Sequence, residues 1–175
     1  MQKDEVTPSP CCSPSPEGVS LPRLNLPDCA CRLRHAAGGR FEVYDTLRGR
    51  FVALTPEEWV RQHFTHFLTT VLGYPAALMG NEISLKLNGM SRRCDTVVYD
   101  RRLRPRMIVE YKRPDVPVTQ RVFDQICRYN MVMHVGYLVV SNGLDHYCCR
   151  MDYTAHTYHF VPHLPTWAEC IGEEL

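Results

Sequence analysis

Several things are missing from this sequence, and each absence narrows the reading. No run approaches the ~18 apolar residues of a membrane-spanning helix. The N-terminal stretch "MQKDEVTPSPCCSPSPEG" lacks the apolar segment of a secretory signal. The expectation is a cytoplasmic protein with no membrane partner. Net charge is only +1, so no global field draws the chain to nucleic acid or lipid. The nine cysteines, at 11, 12, 29, 31, 94, 127, 148, 149 and 170, are odd in number and form no C-x-x-C pair. The adjacent pairs 11–12 and 148–149 suit neither a disulfide framework nor zinc spacing, so free thiols in a reducing cytosol are expected. Among eight histidines there is no H-E-x-x-H pattern. His63 and His66 fall on one predicted helix with no third ligand nearby, so no zinc is expected. No internal repeat is visible.

What remains is a globular composition, with 45% hydrophobic and 22% charged residues in 175. That length suits one domain with a real core. Residues 1–22, rich in Pro and Ser, read as a disordered tail. Residues 23–175 read as a single domain. "FEVYD" (41–45) and "GRFVAL" (49–54) read as short strands around "TLR". In "TPEEWVRQHFTHFLTTVLGYP", Thr55 suits an N-cap and Pro56 the first helical position. Glu58, three after Thr55, completes a capping box. Val60, Phe64, Phe67, Leu68 and Val71 form the apolar stripe, and Gly73 and Pro75 stop the helix. "EISLKLNG" alternates and ends in the Asn88-Gly89 hairpin signal. A return strand over 93–99, a polar turn "DRRLRPR" and a strand over 107–112 follow. "PVTQRVFDQICRYNM" predicts a second helix, with Val122, Ile126 and Tyr129 along one side. The apolar run "GYLVVSNG" predicts a central strand paired in parallel with an earlier one. "DHYCCRMDY" and "AHTYHFV" predict a closing hairpin. The fold class is therefore α/β, with an α-β-β-β-α-β core, a mixed sheet and additional antiparallel strands.

Chemistry concentrates in "MIVEYKRP". Glu110 and Lys112 lie two apart at the end of a buried-looking strand, so they share a face. A hairpin symmetric about Arg102–Leu103 sets Asp95 opposite Glu110. Two facing carboxylates repel. A divalent cation such as Mg²⁺ or Mn²⁺ between them removes the penalty, since Mg²⁺ favours few carboxylates plus water and phosphate. Such an ion acidifies a water, while Lys112 positions that water or stabilises developing oxyanions. Asp95 and Glu110 are thus the expected metal ligands. Arg92, Arg93, Arg101, Arg102, Arg104, Arg106 and Arg113 cluster on the same strands. By alternation Arg93 shares a face with Asp95, so a local DNA-binding surface is expected on a neutral protein.

In this context D-x(14)-E-x-K resembles the PD-(D/E)XK nuclease superfamily. More narrowly, the chain resembles the N-terminal nuclease-like domain of type I restriction enzyme R subunits. It is especially similar to short stand-alone bacterial proteins carrying that domain. The segments "LTPEEWVRQHF", "LNGMSRRCDTVVYD", "IVEYKRP", "FDQICRYN" and "YLVVSNGLDHYCC" carry the resemblance over about residues 40–150. It implies a restriction-endonuclease-like core and Mg²⁺-dependent cleavage of DNA. It also implies that Asp95 and Glu110 hold the metal and that Lys112 acts on the water. A glutamate of the first helix joins such sites, here Glu57 or Glu58. Glu58 has a capping role of its own, whereas Glu57 falls toward the sheet and is preferred. Gln125 and Tyr129 resemble a Q-x-x-x-Y element whose Gln helps bind DNA, while Tyr129 reads as core packing. An amide on an otherwise packed face needs a partner.

Two departures stand out. The signature's Pro is absent, because Cys94 precedes Asp95. No G-x-x-x-x-G-K-[ST] loop occurs, so the chain is not expected to carry a helicase motor. Three functions follow: a DNA endonuclease, a nuclease fold that binds DNA or protein without cutting, and a nuclease subunit active only with a separate motor or specificity protein.

Overall fold

The computed structural model describes residues 21–172, apart from Ala37 and Asn88. Most of the expected tail, residues 1–20, lies outside the described residues, as does the first residue of the Asn88-Gly89 turn. Gly89 follows with φ 76°, the left-handed conformation this tight reversal requires.

The core is a six-stranded sheet in the order β4-β5-β6-β7-β8-β9. Its members are β4 (Met79–Leu87), β5 (Met90–Tyr99), β6 (Pro105–Tyr111), β7 (Tyr137–Ser141), β8 (His146–Asp152) and β9 (Thr157–Val161). All neighbours run antiparallel except β6 and β7, which are parallel and joined by α2 (Gln120–Met133). The α/β class, the mixed sheet and the closing hairpin are as the sequence pattern predicts. β7 is buried on both faces, which is why it reads as an unbroken apolar run. Val139 packs toward α1 (Pro56–Thr70), and Leu138 and Val140 pack toward α2. Each such burial contributes about 1.5–3 kcal/mol.

A separate three-stranded antiparallel sheet, β1 (Leu33–His35), β2 (Phe41–Asp45) and β3 (Arg50–Ala53), precedes α1. The sequence reading missed β1 and also α3 (Trp167–Ile171), which carries a complete capping box between Thr166 and Glu169. Both are too short for a periodic signal.

α1 starts where expected. The Thr55 hydroxyl accepts from the Glu58 backbone N–H at 3.0 Å, with Pro56 in the first turn. Two expectations on this helix need correction. The capping box is only half formed, because the Glu58 carboxylate turns inward to cations instead of back to the N-cap. Val71 is not part of the buried stripe. It is the C-cap residue and 56% exposed, because the helix ends at Thr70. Val60, Phe64 and Leu68 are fully buried, and the polar Arg61, Gln62 and Thr65 are nearly so. A helix buried this far round must find partners for its charges inside the protein.

Candidate metal and nucleic-acid site

The strand pairing sets the site. β5 and β6 pair Val97 with Ile108 and Thr96 with Val109. One step further, Asp95 and Glu110 lie abreast. There the strands part. Lys112 N–H donates to Ser141 O of β7 at 2.9 Å, so the preceding N–H, that of Tyr111, points the other way, toward β5. Asp95 Oδ2 accepts it at 2.8 Å. The carboxylate thus stands where a backbone carbonyl would otherwise continue the ladder. Asp95 Oδ1 accepts from Arg61 Nη2 of α1 at 2.8 Å.

Glu110 is differently served. Its Oε1 accepts from Lys112 Nζ at 2.7 Å and from Gln125 Nε2 of α2 at 2.7 Å. Its Oε2 is buried without a hydrogen-bond partner. Such an atom carries the full cost of desolvation. Burial, then the charge of Asp95, push the Glu110 carboxyl up to about 7, against the opposing pull of Lys112. Burial also raises Asp95, with Arg61 and the Tyr111 N–H working against it. Lys112 is raised: burial disfavours its ammonium, but the hydrogen bond and charge of Glu110 outweigh that. Lys112 is therefore protonated at neutral pH.

The two helix glutamates part company. Glu58 is buried and accepts from Arg48 Nη2 at 2.5 Å, Arg61 Nη1 at 2.6 Å and Gln62 Nε2 at 2.8 Å. Arg48 in turn pairs with Asp45, which Asn81 Nδ2 also reaches at 2.9 Å. Glu57 is half-buried and makes no hydrogen bond to the described residues. Burial raises its carboxyl, and the next influences are the charges of Asp95 and Lys112. Glu57 is therefore within electrostatic reach of Asp95 and Lys112.

An open cavity of about 430 Å³ connects Asp95 and Glu110 to solvent, and Lys112, Glu57 and Glu58 are not among its lining residues. Asp95 and Glu110 line it with Gln125 and Tyr129 of α2, and Ser84, Ser91, Arg92 and Arg93 complete the lining. Gln125 Nε2 also donates to the Tyr129 hydroxyl at 3.2 Å, so this amide is held between Glu110 and Tyr129. Arg93 is exposed and pairs through Nε with Glu82 Oε2 at 2.6 Å. A second cavity, about 460 Å³, is lined by Arg150, His159, His163 and Glu169 among others, and none of the residues above reaches it.

The sequence reading missed Arg61 and Glu82. Arg61 carried a signal: it shares a helix face with Phe64 and Leu68, at spacings of three and seven, so a buried charge was in view. Glu82 carried none, since nothing in "EISLKL" marks a left-handed residue within a strand.

Among the described residues no group of three or more His, Cys, Asp and Glu is arranged to hold a metal ion. The carboxylate set is the pair Asp95 and Glu110. That pair fits a hard cation that keeps most of its water and takes one or two carboxylates. The orphaned Glu110 Oε2 is the atom such an ion would satisfy.

The fold is a three-layer α/β/α arrangement, with two carboxylates and a lysine at the end of a splayed strand pair. The chain belongs to the family described as type I restriction enzyme R protein N terminus, whose model matches residues 56–165, more than half its length. It is similar to a solved fragment described as an HsdR subunit of a type I restriction enzyme from Vibrio vulnificus YJ016. That similarity has 20% identity and a TM-score of 0.48, and covers 65% of this chain. The chain spans 24% of that fragment's length. No curated protein matches. No helix among the described residues is long and apolar enough to cross a membrane.

Proposed function

We propose that this domain is a metal-dependent endonuclease of the PD-(D/E)XK type, hydrolysing phosphodiester bonds in DNA. The observation that carries the reading is Glu110 Oε2: a buried oxygen without a donor, on a carboxylate that lines an open cavity beside a second carboxylate. A bound Mg²⁺ or Mn²⁺, held by Asp95 and Glu110, would acidify a water and offset phosphate charge.

The remaining work falls to the chain's own residues. Arg61 and the Tyr111 N–H fix the plane of the Asp95 carboxylate. Gln125 and Lys112 fix Glu110 through Oε1, leaving Oε2 without a donor. Lys112, protonated, serves as a charge that stabilises the developing oxyanion rather than as a base. Glu57, within electrostatic reach of Asp95 and Lys112, would orient an incoming water or hold its proton. Arg92 and Arg93 on the cavity lining suit phosphate contacts, which position DNA without reading its sequence.

The family description favours a second form of this reading. A domain related to the N terminus of an R protein would cut when a motor or specificity function from outside these 175 residues delivers DNA. The test is cleavage of supercoiled and single-stranded DNA with Mg²⁺ or Mn²⁺, with and without candidate partner subunits, beside Lys112→Ala. Loss of one placed electrostatic stabiliser is expected to cost about 10²–10³ in rate. DNA affinity should fall far less. Absence of cleavage under every metal, DNA form and partner, with DNA binding intact in Lys112→Ala and Asp95→Asn, would replace the enzyme by a binding module.

A further inference from the structure

Glu82 is the strained residue beside the site. It sits in β4 between Asn81, paired with Thr96, and Ile83, paired with Cys94, so it is abreast of Asp95. Its φ is 60°, a left-handed conformation uncommon for any residue with a side chain and rarer still inside a strand. Residues held this way persist where the surroundings over-determine them. The surroundings here are two arginines. Glu82 Oε1 meets Arg61 Nη1 at 3.0 Å, and Oε2 meets Arg93 Nε at 2.6 Å. Arg61 Nη2 meets Asp95 Oδ1 at 2.8 Å. A continuous chain of ion pairs, Arg93–Glu82–Arg61–Asp95, thus runs from an exposed cation to a partly buried carboxylate of the site.

We propose that Glu82 is a positioning residue that links Arg93 to Asp95 through Arg61, so that a nucleic-acid phosphate at Arg93 and a divalent cation at Asp95 each strengthen the binding of the other. This rests on the nuclease reading of the site and adds a regulation of it. The sign follows from charge sharing. A phosphate that takes Arg93 leaves Glu82 with one cation instead of two. Glu82 then draws harder on Arg61, whose contact with it is the longest of Arg61's three ion pairs. Arg61 moving toward Glu82 loosens its hold on Asp95 Oδ1, which is freed for the cation. In reverse, a cation at Asp95 displaces Arg61 toward Glu82, and Arg93 is released to the phosphate. Linkage makes the two effects equal.

The experiment is calorimetric titration of Ca²⁺, a hard ion that takes carboxylate oxygens, into the full chain with and without a saturating short DNA duplex. The ratio of the two affinities is the coupling factor, expected to be at least about fivefold in the wild type. Direct ion–phosphate contact contributes to that factor, so the variants isolate the share carried by the chain. Glu82→Gln keeps the shape but removes the charge. It is expected to lower the factor at least about threefold, as for coupling within one ion-pair network. Arg93→Ala should lower it equally, and the double variant no further. Glu82→Gly, which accepts the left-handed backbone without strain, should lose the same share while its melting temperature holds or rises. A purely structural role for Glu82 would move melting temperature and leave the factor alone. A wild-type factor in both Glu82 variants, or additive losses in the double variant, overturns the proposal while leaving the nuclease reading intact. A wild type that binds neither Ca²⁺ nor duplex overturns both.

Discussion

Two acidic residues of this domain, Glu58 and Glu110, are almost equally buried, at 6% and 4% exposure, yet they live in opposite circumstances. Around Glu58 both oxygens have donors: Arg48 and Gln62 on one, Arg61 on the other. The network extends through Asp45 to Asn81 and Thr96, tying α1 to both sheets. Around Glu110 one oxygen takes two donors and the other takes none. The two sit on neighbouring elements, so burial alone does not separate them. Completeness of pairing does. A carboxylate with both oxygens occupied is architecture, and one with a free oxygen beside a second carboxylate and an open cavity is where a ligand belongs.

The comparison breaks most visibly at Glu58. Glu58→Ala leaves Arg48 and Arg61 buried with one carboxylate fewer. A loss of about 3–5 kcal/mol is expected, as for removing one partner of a buried pair. Urea unfolding followed by circular dichroism measures it. A loss below about 1 kcal/mol, the scale of a surface substitution, would mean the network is not structural.

Glu110 should respond in the opposite sense. Its folded carboxyl, at about 7, lies above its ordinary value of 4.5. Between those limits the folded state binds more protons than the unfolded, so stability of the metal-free protein falls as pH rises through that window. Glu110→Gln removes the penalty. The variant should match the wild type near pH 4.5 and exceed it above pH 7, by on the order of 2 kcal/mol. Melting temperatures across pH 4.5 to 8 in a chelator, at about half-unit steps, decide the sign.

The smallest effect on stability is expected at Glu57, which has no hydrogen-bond partner among the described residues to lose. Glu57→Gln should change unfolding free energy by no more than about 0.5 kcal/mol. It should still weaken divalent-cation binding or cleavage. A Glu57 variant as destabilising as Glu58→Ala would reverse the roles assigned to these neighbours.

Much of this was legible in the sequence. Strand alternation and a turn centred on Arg102–Leu103 set Asp95 abreast of Glu110, despite a register shift at Val98–Tyr99. The apolar run of β7 announced a parallel central strand because both its faces are covered. What stayed hidden was whatever depends on contacts between distant segments. A capping-box pattern at Thr55 and Glu58 was present, but the arginines from the β2–β3 turn and from α1 itself offer Glu58 stronger partners than one backbone N–H. Local preference loses to charge pairing in a buried place. The left-handed backbone of Glu82 has no counterpart in residue type, since glycine, its usual mark, is absent there.

The central claim is that Asp95 and Glu110 form one cation site. Calorimetric titration of Mn²⁺ into the wild type and Asp95→Asn, without DNA, tests it most directly. The account predicts a single binding isotherm for the wild type, accompanied by proton release because Glu110 must ionise, and its loss in Asp95→Asn with the fold retained. Identical isotherms for the two proteins, or no Mn²⁺ heat in a folded wild type, would contradict it.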